Sequence, residues 1–238
     1  MTFKIVNDIT EDNHMHTSTF SDGLNSVDEM GDYAGRFGLK KITITDHSQA
    51  SIDTWRINHD VYVGGTRWNL HNYKNVINNV DVNFGIEADL LDENGTICGG
   101  YGGKVEDYLI LSVHTVVYKG NWDKLTDGFE KAILENKDKI KCIGHPDLKP
   151  QQNAWSEIDT SKHIDIDRLT EFANKHKIPL ELNGSNLLNG KSNLDILRKM
   201  LEKAKLIMVN SDAHNLYQLK EARTVAYDFL RKEGYLKE

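Results

Sequence analysis

The 238-residue chain has only two cysteines, Cys98 and Cys142, far apart and without a C-x-x-C spacing. That excludes a disulfide framework and a thiolate metal site. Three prolines, Pro146, Pro150 and Pro179, and no low-complexity tract leave nothing that reads as a linker. One domain over residues 1–238 is therefore expected. No run approaches the roughly 18 apolar residues that a membrane span requires. The first residues carry Lys4, Asp8, Glu11 and Asp12 where a signal peptide would be apolar. A cytoplasmic location with no membrane partner is the expectation. Positive charge is in the minority too: 29 Lys and Arg against 36 Asp and Glu give a net charge of −7. Such a field repels a polyanion at long range, so extended nucleic-acid binding is not expected.

Histidine is what the chain has in quantity. Ten are present, and imidazole is the commonest side-chain ligand of transition metals. Their placement follows from the secondary structure. Short apolar, β-branched runs at 42–45, 82–86, 108–113, 140–143, 178–182 and 206–209 read as buried strands. Between them lie helical spacings, as in Ile166, Leu169, Phe172 and Ala173, and in Leu194, Leu197, Met200, Leu201 and Ala204. Ser26 and Glu29 form a capping box for one helix, Ser192 or Asn193 caps another, and 216–231 is a final amphipathic helix. Alternating strands and helices, about seven units, suit an α/β barrel or a long doubly wound sheet. The glycine-rich stretch 99–103 lacks the G-K-[ST] ending of a phosphate loop and reads as a hairpin or loop. Residues 51–72, with Trp55, Arg56, Tyr62, Arg67 and Trp68, are the least regular and read as a lid.

Histidines and acids gather where the strands end. His14-Met15-His16 and Ser21-Asp22-Gly23 follow the first strand, and Thr45-Asp46-His47 follows the second. Glu87 and Asp89 belong to the third, His114 follows the fourth, His145-Pro146-Asp147 the fifth, and Asp212-Ala213-His214 the last. The C-terminal rim of the strands is where barrel and open-sheet enzymes place their sites. In extended chain, residues i and i+2 point the same way, so His14 with His16, and Asp212 with His214, can face one cation. Imidazole mixed with carboxylate suits Zn, Mn or Fe better than Ca. Nine candidates (His14, His16, Asp22, His47, Glu87, His114, His145, Asp212 and His214) are too many for one ion, so more than one is expected. His59, His71, His163 and His176 lie on polar segments and read as solvated.

The ordered set H-x-H, D-G, T-D-H, G-I-E-A-D, S-V-H, G-H-P and S-D-A-H resembles the PHP family, named for its polymerase and histidinol-phosphatase members. The resemblance runs from about Asn13 to the final helix. It is nearest to the branch that includes the PHP domain attached to family-X DNA polymerases. It implies an α/β fold, a distorted (β/α)7 barrel, with a centre of three divalent ions. By motif, His14, His16, Glu87 and Asp212 would hold one ion, Glu87 would bridge to a second on His114 and His145, and Asp22, His47 and His214 would hold the third.

A centre of this kind hydrolyses phosphate esters: a hydroxide between the Glu87-bridged ions attacks phosphorus in line, and a small phosphomonoester such as histidinol phosphate or a nucleotide is the expected substrate. Asp46 and Asp147 are candidates for delivering the leaving-group proton, or, as the favoured reading, for orienting His47 and His145. Arg56, Arg67, Lys149 and Lys191 are candidate phosphate cations, with Asn183 and Ser185 as polar groups beside them. The stretch 181–188 resembles a histidinol-phosphatase motif, but Leu188 stands where that motif has arginine. Two alternatives are a phosphodiesterase or 3′-end nuclease, and a metal-binding regulatory domain without turnover. A C–N amidohydrolase would want a strand-end lysine for carboxylation, and the sequence offers none there.

Overall fold

A computed structural model describes residues 3–57, 71–149 and 158–236 of the chain. The elements run β1 (Lys4–Ile5), β2 (Glu11–Asp12), α1 (Val27–Arg36), β3 (Lys41–Ile44), α2 (Gln49–Trp55), β4 (Tyr73–Lys74), β5 (Asp81–Phe84), β6 (Ile86–Leu90), β7 (Ile97–Cys98) and β8 (Leu109–Ser112). After a 3₁₀ turn (Trp122–Lys124) come α3 (Leu125–Asn136), β9 (Ile140–Ile143), α4 (Thr160–His163), α5 (Ile166–His176), β10 (Leu180–Asn183), α6 (Gly184–Leu188), α7 (Leu194–Lys203), β11 (Leu206–Asn210) and α8 (Leu216–Lys232). The strands form a seven-stranded sheet, β1-β11-β10-β9-β8-β6-β7, and a four-stranded one, β2-β3-β5-β4. Pairing is parallel except at the ends, where β7 and β4 are antiparallel to their neighbours. The barrel expected from sequence is not one continuous ladder; the two sheets touch through single parallel bridges, Met15 with Ala213 and His47 with Glu87.

Residue alternation explains the layering. In β6, Ile86, Ala88 and Leu90 join the main core, with Leu109 and Leu111 of β8, Leu180 and Leu182 of β10, and Ile207 and Val209 of β11. Helices α3, α5 and α7 cover this face with Phe129 and Ile133, Leu169 and Ala173, and Leu197 and Met200. Each such side chain contributes about 1.5–3 kcal/mol on burial. The alternate positions of the same strands, Glu87, Asp89, Glu181, Asn183 and Asn210, are equally buried but polar. Beside them Ile110, Cys142 and Met208 form a small apolar plug. A second core joins Ile42 and Ile44 of β3 and Val82 of β5 to Val27, Met30 and Ala34 of α1, with Met15 and Phe20.

The helix ends follow their caps. Ser26 and Glu29 make the reciprocal capping box of α1, and Asn193 caps α7 through the amides of Asp195 and Ile196. Two expectations change. The first part of the segment read as irregular is the helix α2, capped by Ser48, while Tyr62, Arg67, Trp68 and His59 lie outside the described residues. The strand expected at 82–86 is two strands in different sheets. Gly85 is the switch: its amide donates to Ile44 at 2.8 Å, and the next amide, Ile86, donates to Tyr108 at 2.9 Å. A Cβ at Gly85 would sit 2.7 Å from both the Tyr108 carbonyl oxygen and its ring, closer than side chains pack.

Gly85→Ala should therefore lower stability by about 1–3 kcal/mol, as overpacking against backbone does, read from the urea unfolding midpoint. An unchanged midpoint would show that the switch between sheets tolerates a side chain.

Candidate metal centre

The two i, i+2 motifs meet as one short ladder. Met15 and Ala213 pair, the His16 amide donates to Ala213 and the Asp212 amide to His14, both at 2.8 Å. The middle residues, Met15 and Ala213, enter the second core, which turns His14, His16, Asp212 and His214 to the opposite side. The bridge between His47 and Glu87 joins the other sheet seam in the same way. Gly23 is required here: a Cβ on it would lie 2.4 Å from the His16 carbonyl oxygen, so only glycine lets the Asp22 loop close over that strand.

Glu87 occupies the centre. Its Oε1 lies 3.6 Å from His14 Nε2, 3.4 Å from His114 Nε2 and 2.7 Å from His145 Nε2. Its Oε2 lies 3.5 Å from His16 Nε2 and 2.9 Å from His47 Nδ1. Asp212 Oδ1 is 3.1 Å from His16 Nε2 and 3.6 Å from His14 Nε2. Asp22 Oδ1 is 3.5 Å from both His47 Nε2 and His214 Nε2. Three donor groups result: His14, His16 and Glu87; His47, Glu87 and His114; and His16, Asp22, His47 and His214. Donors on a tetrahedral ion with bonds of about 2.0–2.1 Å lie about 3.3 Å apart, and most of these separations are close to that. His14 Nε2, both nitrogens of His16, His47 Nδ1 and Glu87 Oε2 are buried without a hydrogen bond. Unpaired buried polar atoms are costly, and a shared cation satisfies them together. All nine sequence candidates thus converge, with His16 and His47 each touching two groups.

Two acids that sequence reasoning gave no role orient the imidazoles. Glu181 accepts from His14 Nδ1 and Asn210 Nδ2 at 2.8 Å, and from the His145 amide and Asn183 Nδ2 at 3.0 Å. Asp89 accepts from His114 Nδ1 at 2.6 Å, and from Ser48 and Ser51 at 2.5 and 2.8 Å. A carboxylate only accepts, so Nδ1 of each ring carries hydrogen and Nε2 presents a lone pair to the centre. Their signal was the strand alternation, which puts Asp89 and Glu181 on the same face as Glu87. Asp46, read from sequence as orienting His47, accepts from the Thr17 amide and hydroxyl, at 2.6 and 2.8 Å, one residue beyond His16.

Burial alone would raise the Glu87 carboxyl, but His114, His14 and His47 outweigh it and hold it well below the usual range. Burial works against protonating His14 and His114 as well; Glu181, Asp212 and Glu87 push the first well up, and Glu87 and Asp89 the second. His16 differs: burial, reinforced by His214 and His47, brings it down to about 3.

The centre floors a cavity of about 1250 Å3 whose lining includes Arg56, Lys191 and Ser185. The other substrate candidates fall elsewhere. Asn183 is buried and spends its amide on Glu181 and Asp212, Lys149 is exposed away from the lining, and Arg67 lies outside the described residues. Trp55, at the end of α2, lines the cavity and packs edge-on against His47 and His114, 4.6 and 5.2 Å between centroids. Within the glycine-rich loop, the Tyr101 hydroxyl donates to the His47 carbonyl at 2.6 Å, so that loop braces the centre.

A family model described as PHP domain matches residues 12–185. A probable phosphatase YcdX of Escherichia fergusonii is 24% identical over 216 residues, 88% of this chain and 80% of that protein. The DNA polymerase/3'-5' exonuclease PolX of Bacillus subtilis is 31% identical over 231 residues, 91% of this chain but 36% of that protein. In fold, the chain is similar to histidinol phosphate phosphatase of Lactococcus lactis subsp. lactis, solved with zinc, L-histidinol and phosphate. That match has a TM-score of 0.51 and 15% identity over 92% of each chain. Fold and site define a mixed α/β protein with a histidine and carboxylate centre at the ends of parallel strands. The chain belongs to the PHP domain family.

Asp147 is fully buried and its carboxylate oxygens find no hydrogen bond; burial pushes it up to about 6, only partly offset by Ser192 and His145. Below about pH 4 the carboxyl is protonated folded or unfolded. As pH rises through 6 the folded state loses that advantage and carries the cost of a buried charge. In chelator-treated protein, Asp147→Asn should therefore stabilise by about 2–3 kcal/mol more at pH 8 than at pH 4. Equal effects at the two pH values, by urea unfolding, would show that Asp147 is solvated or paired.

Proposed function

We propose that the chain is a metal-dependent phosphoric ester hydrolase acting on small phosphomonoesters. The observation that carries this reading is Glu87, whose two oxygens each face imidazole nitrogens of different donor groups at the floor of an open cavity. His14, His16, Glu87 and Asp212 would hold one ion, Glu87, His114 and His145 a second, and Asp22, His47 and His214 a third, with zinc, manganese or iron as the fitting metals. Divalent ions so held supply Lewis acidity and a water of lowered pKa. The two sheets then act as one distorted (β/α)7 barrel, joined at the Met15 and His47 bridges.

The chain's own groups do the positioning. Glu181 and Asp89 fix the rings of His14 and His114. Asp46 clamps the backbone after His16, which favours an orienting role over proton delivery. Asp147, next but one to His145, is absent from the lining and is read with Asp46 as a positioning group rather than a proton donor. Arg56, Lys191 and Ser185 face the cavity and take the substrate's oxygens. The relatives named probable phosphatases support a phosphatase activity, and the zinc, histidinol and phosphate of the Lactococcus structure support a small phosphorylated substrate. The likeness to PolX favours a second reading, cleavage at a nucleic-acid 3′ end. The net charge of −7 weighs against it.

Glu87→Ala should lose bound metal, measured by elemental analysis, and at least about 100-fold in phosphate release from p-nitrophenyl phosphate. Wild-type turnover in that variant would remove the mechanism, and a wild-type chain that holds metal yet releases no phosphate from any monoester would remove the phosphatase reading.

A further inference from the structure

The cavity has two chemically distinct levels. Its carboxylates, Asp22, Glu87 and Asp212, belong to the floor and are in contact with histidines there. Among the described residues, the other charged side chains in the lining are Arg56, Lys119 and Lys191. The three come from separate parts of the chain: the C-cap of α2, the loop after β8 and the loop after α6. Elsewhere Arg168, Arg198, Arg223 and Arg231 each approach a carboxylate, while Arg36 on α1 approaches none among the described residues. Among the described residues, Arg56, Lys119 and Lys191 approach none. Lys119 donates to the Val116 carbonyl, a neutral partner. Arg56 is held at φ 53, a left-handed conformation that glycine adopts at lower cost. As the αL C-cap of α2, Arg56 stands in the cavity wall with its guanidinium unpaired among the described residues. Trp55, Ile57, Val116 and Leu148 also line the wall, as a surface for a carbon skeleton.

Resting on the phosphatase reading, we infer that the cavity selects phosphomonoesters whose far end carries a second anionic group, a carboxylate or another phosphate, and disfavours those with an ammonium there. The floor engages the reacting phosphate, and the ring of cations engages the distal anion. A single phosphate leaves a cavity of about 1250 Å3 mostly empty, so the distal group has the room that the cations flank. By the same logic histidinol phosphate, which carries an ammonium, is a poor fit despite the fold shared with its phosphatase.

The test compares sugar phosphates that differ in distal charge, using the metal-reconstituted full chain. Phosphate release is measured from 6-phosphogluconate, glucose 6-phosphate and glucosamine 6-phosphate, with fructose 1,6-bisphosphate against fructose 6-phosphate to separate a distal phosphate from a distal carboxylate. At least one of the two anionic substrates should exceed its neutral counterpart about 10-fold in kcat/KM, and glucosamine 6-phosphate should fall below glucose 6-phosphate. Lys191→Gln and Arg56→Gly should bring the anionic preference to within about 3-fold of unity while bound metal per chain stays at the wild-type level. Glycine keeps the left-handed backbone of this C-cap accessible, and the wild-type metal content of the variant reports that its fold is kept. Equal kcat/KM across the set, or an unchanged ratio in both variants, overturns the inference and leaves the phosphatase standing. Release of nucleotides from a single-stranded oligonucleotide faster than phosphate from any monoester overturns it in favour of the nuclease. No phosphate from any monoester removes the phosphatase reading and this inference with it.

Discussion

A buried carboxylate with imidazoles around it is the constraint on which the rest of this structure depends. An isolated ionised carboxylate is too costly to bury, and breaking a buried pair costs several kcal/mol. Glu87 is 1% exposed, so its charge has to be met within the protein. The meeting takes the form of a chain of alternating sign, from Glu181 through His14 to Glu87, and on through His114 to Asp89. In the metal-free network the surrounding carboxylates favour protons on His14 and His114, raising their pKa, while the imidazoles lower those of Glu87 and Glu181. Divalent ions entering this network replace those protons, so metal binding and pH are linked through the same few rings.

Much of this was legible because strand periodicity is a strong signal. H-x-H and D-A-H each put two donors on one side with an apolar residue between, and Met15 and Ala213 occupy the core as that spacing requires. Ser26, Asn193 and the apolar stripe of α5 announced their helices for equally local reasons. What stayed hidden depended on contacts between distant segments. Gly85 splits an apparently continuous strand because Tyr108, in another strand's lead-in, leaves no room for a Cβ. Glu181 reads as part of a strand and a family motif without a role of its own, although Leu180 and Leu182 on either side already imply an inward acid. Asp46 sits beside His47 in sequence yet serves the His16 strand, since adjacent residues in extended chain face opposite ways. Whether two sheets close into a barrel is likewise a question of long-range pairing, and single-residue bridges leave no periodic trace.

Backbone strain separates the working parts from the scaffold. Among the described residues five that are not glycine have positive φ, and three of them, Arg56, His145 and Asp212, line the cavity. Asn79 lies in a turn, and Arg56 and Lys177 are helix C-caps, where such geometry is routine, which leaves His145 and Asp212. At His145 and Asp212 the strain is held by specific bonds: the His145 amide to Glu181 and the Asp212 amide to His14. Each kinked donor is tied to the charge network it serves, so the network and the backbone enforce one another.

Floor and rim are therefore under different constraints. A change to any floor group leaves a buried partner unpaired: loss of Glu181 strands His14, Asn183, Asn210 and the His145 amide together. The rim residues Arg56, Lys119 and Lys191 stand at a helix cap and in loops with no carboxylate among the described residues to satisfy, so exchanging one costs the fold little. Chemistry is then fixed by the interior, where sheet alternation and charge balance leave few alternatives. On the proposed reading, selectivity would be set by side chains that sequence change can alter one at a time without disturbing the buried acids beneath them.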